Sequence, residues 1–227
     1  MTFPELAGRL REVHDRLRAA VARGGHGQAV EVIAVTKTHG PEAVEAAWAC
    51  GVRSVGENRI QEALPKMDAV QAPVAWHLIG HLQRNKAKHV VRFSLVHSMD
   101  SARLADALHE VGKGRGGAVR VLAQVNVSGE ASKGGYDLGM LPAEADRLAR
   151  MPGVVVEGVM TMAPLDADER VLRATFAGAR RAGEILRAAG HPAHALSMGM
   201  SNDYEVAVEE GATLVRLGTL LFGARTP

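Results

Sequence analysis

Eight apolar, β-branched stretches recur along the chain, near residues 31–37, 53–56, 74–79, 94–97, 119–127, 154–160, 194–198 and 213–217. Helical patterns separate them at 41–50, 58–70, 83–91, 101–111, 140–150, 168–189 and 202–210. Strand, helix, strand in repetition calls for parallel pairing with crossover helices. Eight such repeats in 227 residues predict a closed α/β (β/α)8 TIM barrel, a fold that usually takes roughly 250 residues. A doubly wound open sheet is the alternative, but it generally has fewer strands. Ahead of the first strand, Phe3, Leu6, Leu10, Val13 and Leu17 stand three or four apart, the stripe of an amphipathic helix packed on its own domain. Glycines at 24, 25 and 27 end it. The expected organisation is therefore one domain over 1–227, with an N-terminal helix in 1–25 packed on the barrel.

Composition excludes several classes. A net charge of +2 and 4% aromatic residues give neither the basic surface nor the stacking platform of a nucleic-acid binder. No run approaches the roughly 20 apolar residues of a membrane span, and Glu5, Arg9, Arg11 and Glu12 interrupt any secretory apolar segment. Cys50 is the single cysteine, so no internal disulfide can form, which fits a reducing, cytoplasmic setting.

Barrels of this type build their sites from the loops at the C-terminal ends of the strands. Almost every predicted strand ends in a polar group: Lys37, Asn58, His77, His97 with Ser98, Asn126 with Ser128, Thr161, Ser197 and Arg216. Two of these ends are the most informative. Lys37 closes the run VIAVTK, where partial burial would lower the amine's pKa and favour Schiff-base chemistry. The last two strand ends carry Ser197, Gly199, Ser201, Gly218 and Thr219, hydroxyls and close-approach backbone suited to a phosphate. Ser201 also reads as the N-cap of helix 202–210, whose free amides would favour an anion. A reactive amine facing a phosphate-sized pocket points to pyridoxal 5′-phosphate (PLP).

Other signals are discounted. GKGRGG at 112–117 follows a helix and precedes a strand, the reverse of a dinucleotide fingerprint, and reads as a flexible turn. His77 and His81 stand four apart without a third ligand, so no metal site is expected. Arg84, Lys86 and Lys88 read as a solvated face that would attract an anion. GEASKGGYD at 129–137 reads as a mobile loop.

The segments VTKTH at 35–39, GENRIQE at 56–62, WHLIGHLQRNK at 76–86, HSMDS at 97–101, QVNVSGEASKGG at 124–135, GVMTMAP at 158–164, LSMGMSND at 196–203 and VRLGTLLFGAR at 215–225 together resemble the pyridoxal phosphate homeostasis protein family. That family is similar in fold to the N-terminal barrel domain of alanine racemase. The resemblance implies that Lys37 holds PLP as an internal aldimine and that Ser197, Ser201, Gly218 and Thr219 surround the phosphate. It further implies that Arg216 faces the pyridine nitrogen and Asn58 lies beside the ring. SND at 201–203 departs from the family's usual SDD, and KGGYD at 133–137 is a variant of its loop.

Three functions remain distinguishable at this point. The first is a monomeric carrier that holds, buffers and supplies PLP, with apo PLP enzymes as recipients. The second is a weak amino-acid racemase, and the third a cofactor-free Schiff-base aldolase. The carrier is favoured. An arginine at the pyridine nitrogen weakens the ring as an electron sink. The racemase's second base is a tyrosine from an additional domain, which a chain ending at Pro227 lacks. Of the two tyrosines present, Tyr136 falls in the loop expected to be mobile and Tyr204 just after the phosphate segment.

Overall fold

The structure, a computed structural model, describes residues 3–127, 129 and 134–223. Eight strands close into one parallel barrel in chain order: β1 Glu31–Val35, β2 Ser54–Glu57, β3 Ala75–Leu78, β4 Leu95–Met99, β5 Val119–Gln124, β6 Val154–Met160, β7 Ala195–Ser197 and β8 Leu214–Leu217. Closure is between β8 and β1, with Ile33 opposite Arg216 and Ala34 opposite Leu217. This is the (β/α)8 barrel that the alternation predicts.

Helix α1, Leu6–Gly24, precedes the barrel. Its buried residues Leu6, Leu10, Val13, Leu17 and Ala20 form the stripe read from the sequence. Arg23 fixes its end by pairing with Glu209 at 2.5 Å and Glu205 at 3.1 Å. The crossover helices are α2 Pro41–Ala49, α3 Ile60–Ala69, α4 Ala102–Gly114, α5 Leu141–Ala149, α6 Glu169–Ala188 and α7 Tyr204–Glu209. Pro41 opens α2 at a position where its missing N–H costs nothing. Ser101 and Asp168 cap α4 and α6 by accepting from Leu104 N–H at 3.4 Å and Val171 N–H at 2.8 Å.

Three local expectations are corrected and one element is added. The connection over Arg84–Arg92 is a 3-10 helix. Ala87 and Val90 are its buried side chains, three apart, and a turn of three residues stacks them directly on one face. Residues 112–114 of the glycine-rich stretch belong to α4. Helix α7 starts at Tyr204 with Asp203 at its N-cap, so Ser201 does not cap it. A one-turn helix that the sequence reading did not contain, α8 Thr219–Phe222, follows β8 directly.

The barrel interior has an apolar floor. Ile33, Leu95, Leu122, Met160 and Leu214 form a closed cluster separate from the larger core between barrel and helices. Since strand side chains alternate faces, every second residue onward from this floor also points inward, up to the mouth.

Candidate functional site at the barrel mouth

Two residues beyond the floor the interior becomes polar: Leu95 is followed inward by His97, Leu122 by Gln124, Ala195 by Ser197 and Leu214 by Arg216. These groups form a buried chain. Arg216 donates through one terminal nitrogen to the Ser197 carbonyl at 2.7 Å and to Ser197 Oγ at 2.6 Å, and through the other to the Thr161 carbonyl at 2.9 Å. Ser197 Oγ lies 2.9 Å from His97 Nδ1, and His97 Nε2 lies 2.9 Å from His77 Nδ1. A guanidinium only donates, so Ser197 Oγ accepts from Arg216, and Arg216, Ser197, His97 and His77 form one continuous hydrogen-bonded line.

Burial sets the charge states. Desolvation, with smaller effects from His77 and Arg216, holds His97 well below the ordinary histidine value. Desolvation, then Arg120, lowers His77 to about 4. Both imidazoles are neutral at pH 7. Arg216 is lowered by desolvation to about 10 and stays cationic, supported by Asp203. Its hydrogen-bond partners in this chain are neutral, and among the described residues no carboxylate forms a salt bridge with it. An interior cation without a paired anion is costly.

Lys37 follows β1 in the same inward register as Ile33 and Val35 and is half-buried. It occupies the second position of a turn closed by His39 N–H donating to the Thr36 carbonyl at 3.1 Å. Because β1 pairs with β8, this turn rises beside Arg216 and Gly218; a Cβ on Gly218 would sit 3.4 Å from Val35 Cβ. The early amine and the late strand ends therefore share one rim. Asn58, inward like Gly56, stands on the other side of Lys37, since β2 also neighbours β1. It borders a cleft of about 250 Å3 with Arg59, His81 and Lys86.

The segment expected to hold a phosphate is built differently from the sequence reading. Gly199, at φ 93°, brings the β7 loop against α7, where a Cβ would come within 2.7 Å of Ala207 Cβ and 2.9 Å of Tyr204 Cα. Its carbonyl accepts from Arg216 N–H at 3.0 Å, tying the two last strand ends together. Ser201 Oγ accepts from Leu220 N–H at 3.3 Å, so the serine meets the first turn of α8. Gly218 is the N-cap of α8 and Thr219 its exposed first residue. A helix start is thus supplied by α8, at the position where such barrels carry a short extra helix, with its Leu220 N–H given to Ser201 Oγ and its Leu221 and Phe222 N–H to the Gly218 carbonyl. Ser197 Oγ is placed apart from this loop, inside the barrel against Arg216 and His97.

The match to known proteins decides the family. Residues 9–226 match the family described as alanine racemase, N-terminal domain. The pyridoxal phosphate homeostasis protein of Aquifex aeolicus is 39% identical over 221 residues, covering 96% of this chain and 97% of that protein. The protein of the same name from Pseudomonas aeruginosa is 40% identical over 223 residues, covering 97% and 96%. Among solved structures, PipY of Synechococcus elongatus with PLP bound superposes with a TM-score of 0.84 at 37% identity, covering 96% of this chain and all of that one.

The chain belongs to the pyridoxal phosphate homeostasis protein family.

Within this family barrel, other notable side chains are excluded from the mouth or occupied. Tyr136 is buried and bridged to Val125, with its N–H donating to the Gln124 carbonyl at 2.8 Å, so it is packed and not part of a mobile loop. Burial raises its phenol far above the ordinary value, and burial raises Tyr204 as well. His81 pairs with Asp100 at 3.2 Å, and among the described residues no three His, Cys, Asp or Glu are grouped to hold a metal ion. Ser128 lies outside the described residues, as do 130–133 of the 129–137 loop.

The sequence reading missed three participants. His77 and His97 were seen as strand ends but not as a chain leading to Arg216; their inward parity with Leu95 was the available signal. Asp203 was not singled out, yet it accepts from Met200 N–H at 2.6 Å and shapes the β7 loop.

Proposed function

We propose that this chain binds PLP at the barrel mouth and serves PLP homeostasis by holding, buffering and supplying it to apo-enzymes from the cytoplasm. The observation that carries the reading is the fully buried, cationic Arg216 on the strand next to Lys37, with only neutral partners of its own. An acceptor-rich ligand beside it would complete that arrangement. The donor set fits PLP at both ends: an amine on β1, and Ser201 and Thr219 beyond β7 and β8. The names of the relatives and the PLP in the PipY structure support the same reading.

When bound, PLP supplies an aldehyde that condenses reversibly with a primary amine and an electron-withdrawing ring. Lys37 Nζ is the amine that would retain it. Ser201, Gly218 and Thr219 would hold the phosphate. Arg216 would face the pyridine nitrogen, where a donor-only cation disfavours protonation. Ser197, engaged by Arg216 and His97, would act on the ring indirectly, by orienting Arg216. Asn58 would flank the ring from the β2 side. Tyr136 and Tyr204 are the only tyrosines, and their packing, Tyr136 buried and bridged to Val125 and Tyr204 buried at the start of α7, argues against either as the second base that racemisation requires.

The test is the visible spectrum of the purified protein titrated with PLP. The wild type should develop an absorbance band distinct from free PLP, with one equivalent bound. Lys37→Ala should lose that band. A wild-type spectrum equal to that of free PLP plus protein would refute the reading.

A further inference from the structure

Behind Lys37, on the outer face of the barrel wall, lies a second buried polar group with no evident part in holding a ligand. Thr36 and Glu57 point away from the barrel interior, into the layer shared with α3. Thr36 Oγ1 donates to Glu57 Oε1 at 2.6 Å. Lys66, from α3, donates to the same Glu57 oxygen at 2.6 Å and to the Thr36 carbonyl at 2.9 Å. Thr36 and Glu57 are 0% exposed and Lys66 is 7% exposed, while Glu57 Oε2 has no hydrogen-bond partner.

As a stabilising device this is a poor choice. Removing two charges from water offsets most of their attraction, and an apolar pair of similar volume often serves as well or better. The neighbouring positions of this layer, Ala34, Val55 and Ala63, are apolar and fully buried. What the pair does hold is the turn that presents Lys37. The Thr36 carbonyl that receives Lys66 also receives His39 N–H, closing the turn Thr36–His39. Its third residue, Thr38, has φ 68°. A positive φ at that position marks a type II turn, which ordinarily takes glycine or asparagine there. A β-branched residue in this conformation is strained and persists only where its surroundings enforce it.

We propose that Glu57 and Lys66 are positioning residues: they clamp the Thr36 peptide, hold the strained turn in place, and so fix the direction in which the Lys37 side chain leaves β1. The link from turn to cofactor rests on the reading of Lys37 as the PLP amine; the clamp on the turn does not.

The test uses E57Q/K66M, which removes both charges together and leaves no uncompensated one. Two readouts are taken. The first is hydrogen exchange of the His39 amide in protein free of PLP. The second is the fraction of PLP trapped on residue 37 by borohydride at a fixed, subsaturating PLP concentration. The double variant should keep its melting temperature within a few degrees, exchange the His39 amide at least tenfold faster, and trap at least tenfold less PLP. Adding T38G, which adopts positive φ without strain, should restore most of the trapping. Unchanged His39 exchange would overturn the clamp, whatever the trapping shows. No trapping on Lys37 in the wild type would instead overturn the PLP reading, with the exchange result still deciding the clamp. Should the double variant not fold, E57Q/K66Q carries the same test; failure of both to fold would show that the pair serves stability and would overturn the proposal.

Discussion

Two layers of the same barrel, two residues apart along β4, β5 and β8, follow opposite rules. The floor of Ile33, Leu95, Leu122, Met160 and Leu214 is wholly apolar. The layer above it carries His97, Gln124, Ser197 and Arg216, with Lys37 at the rim. Both layers are enclosed by the same backbone and the same helices. The floor gains free energy from burial, whereas each group above it is desolvated at a cost that hydrogen bonds only partly recover. A barrel closed by its floor can carry such a layer, and under the proposed function it is this layer that meets the ligand.

This contrast can be broken from either side. The largest expected effect comes from below. Leu122→Ala opens a cavity in the floor and should cost about 2–5 kcal/mol in denaturant unfolding. PLP affinity of the remaining folded protein should change little. A large affinity loss with little loss of stability would contradict the division of labour.

The second effect is a pH dependence confined to the upper layer. Folded His77 stays neutral down to about pH 4, whereas in the unfolded chain it takes a proton near pH 6.5. Between those values the unfolded state binds more protons, so stability falls as pH drops from about 6.5 to about 4 and this contribution then levels off. The loss is on the order of 3 kcal/mol, and His97 acts in the same direction. His77→Gln should flatten that part of the stability profile relative to wild type; parallel profiles would contradict the neutral chain.

Arg216→Met comes third. Loss of a charge-assisted donor at the ligand should weaken PLP binding by about ten- to a hundredfold. Relief of the buried charge offsets the two carbonyls and the hydroxyl left without their donor, so stability should move by less than about 2 kcal/mol. Isothermal titration and a urea melt read the two quantities separately. The smallest effect belongs to Ser201→Ala, which removes one hydrogen bond to Leu220 and should cost about 1 kcal/mol of PLP binding.

The same contrast explains what could be read from the sequence. The fold was legible because each strand repeats an apolar, β-branched run and each crossover a helical period. Lys37 and Arg216 were legible because each charged residue stands at the C-terminal end of such a run, where these barrels build their sites. Relations between distant segments were not. Ser201 looks like a helix cap when only its local neighbours are considered, and its partner Leu220 is 19 residues away. Helix α8 is one turn long and leaves no periodicity to detect. Lys66 lies in an amphipathic helix, where a lysine ordinarily faces solvent; its burial depends on Thr36, 30 residues earlier.

The central claim is that amine and cation on adjacent strands form one PLP site. Borohydride reduction of the PLP-loaded protein, followed by proteolysis and mass spectrometry, tests it most directly. The account predicts one pyridoxyl group per chain, on the peptide containing Lys37, absent from Lys37→Ala and reduced in Arg216→Met at equal PLP concentration. A label on Lys86 or Lys88, or one spread over surface lysines and indifferent to Arg216, would contradict it.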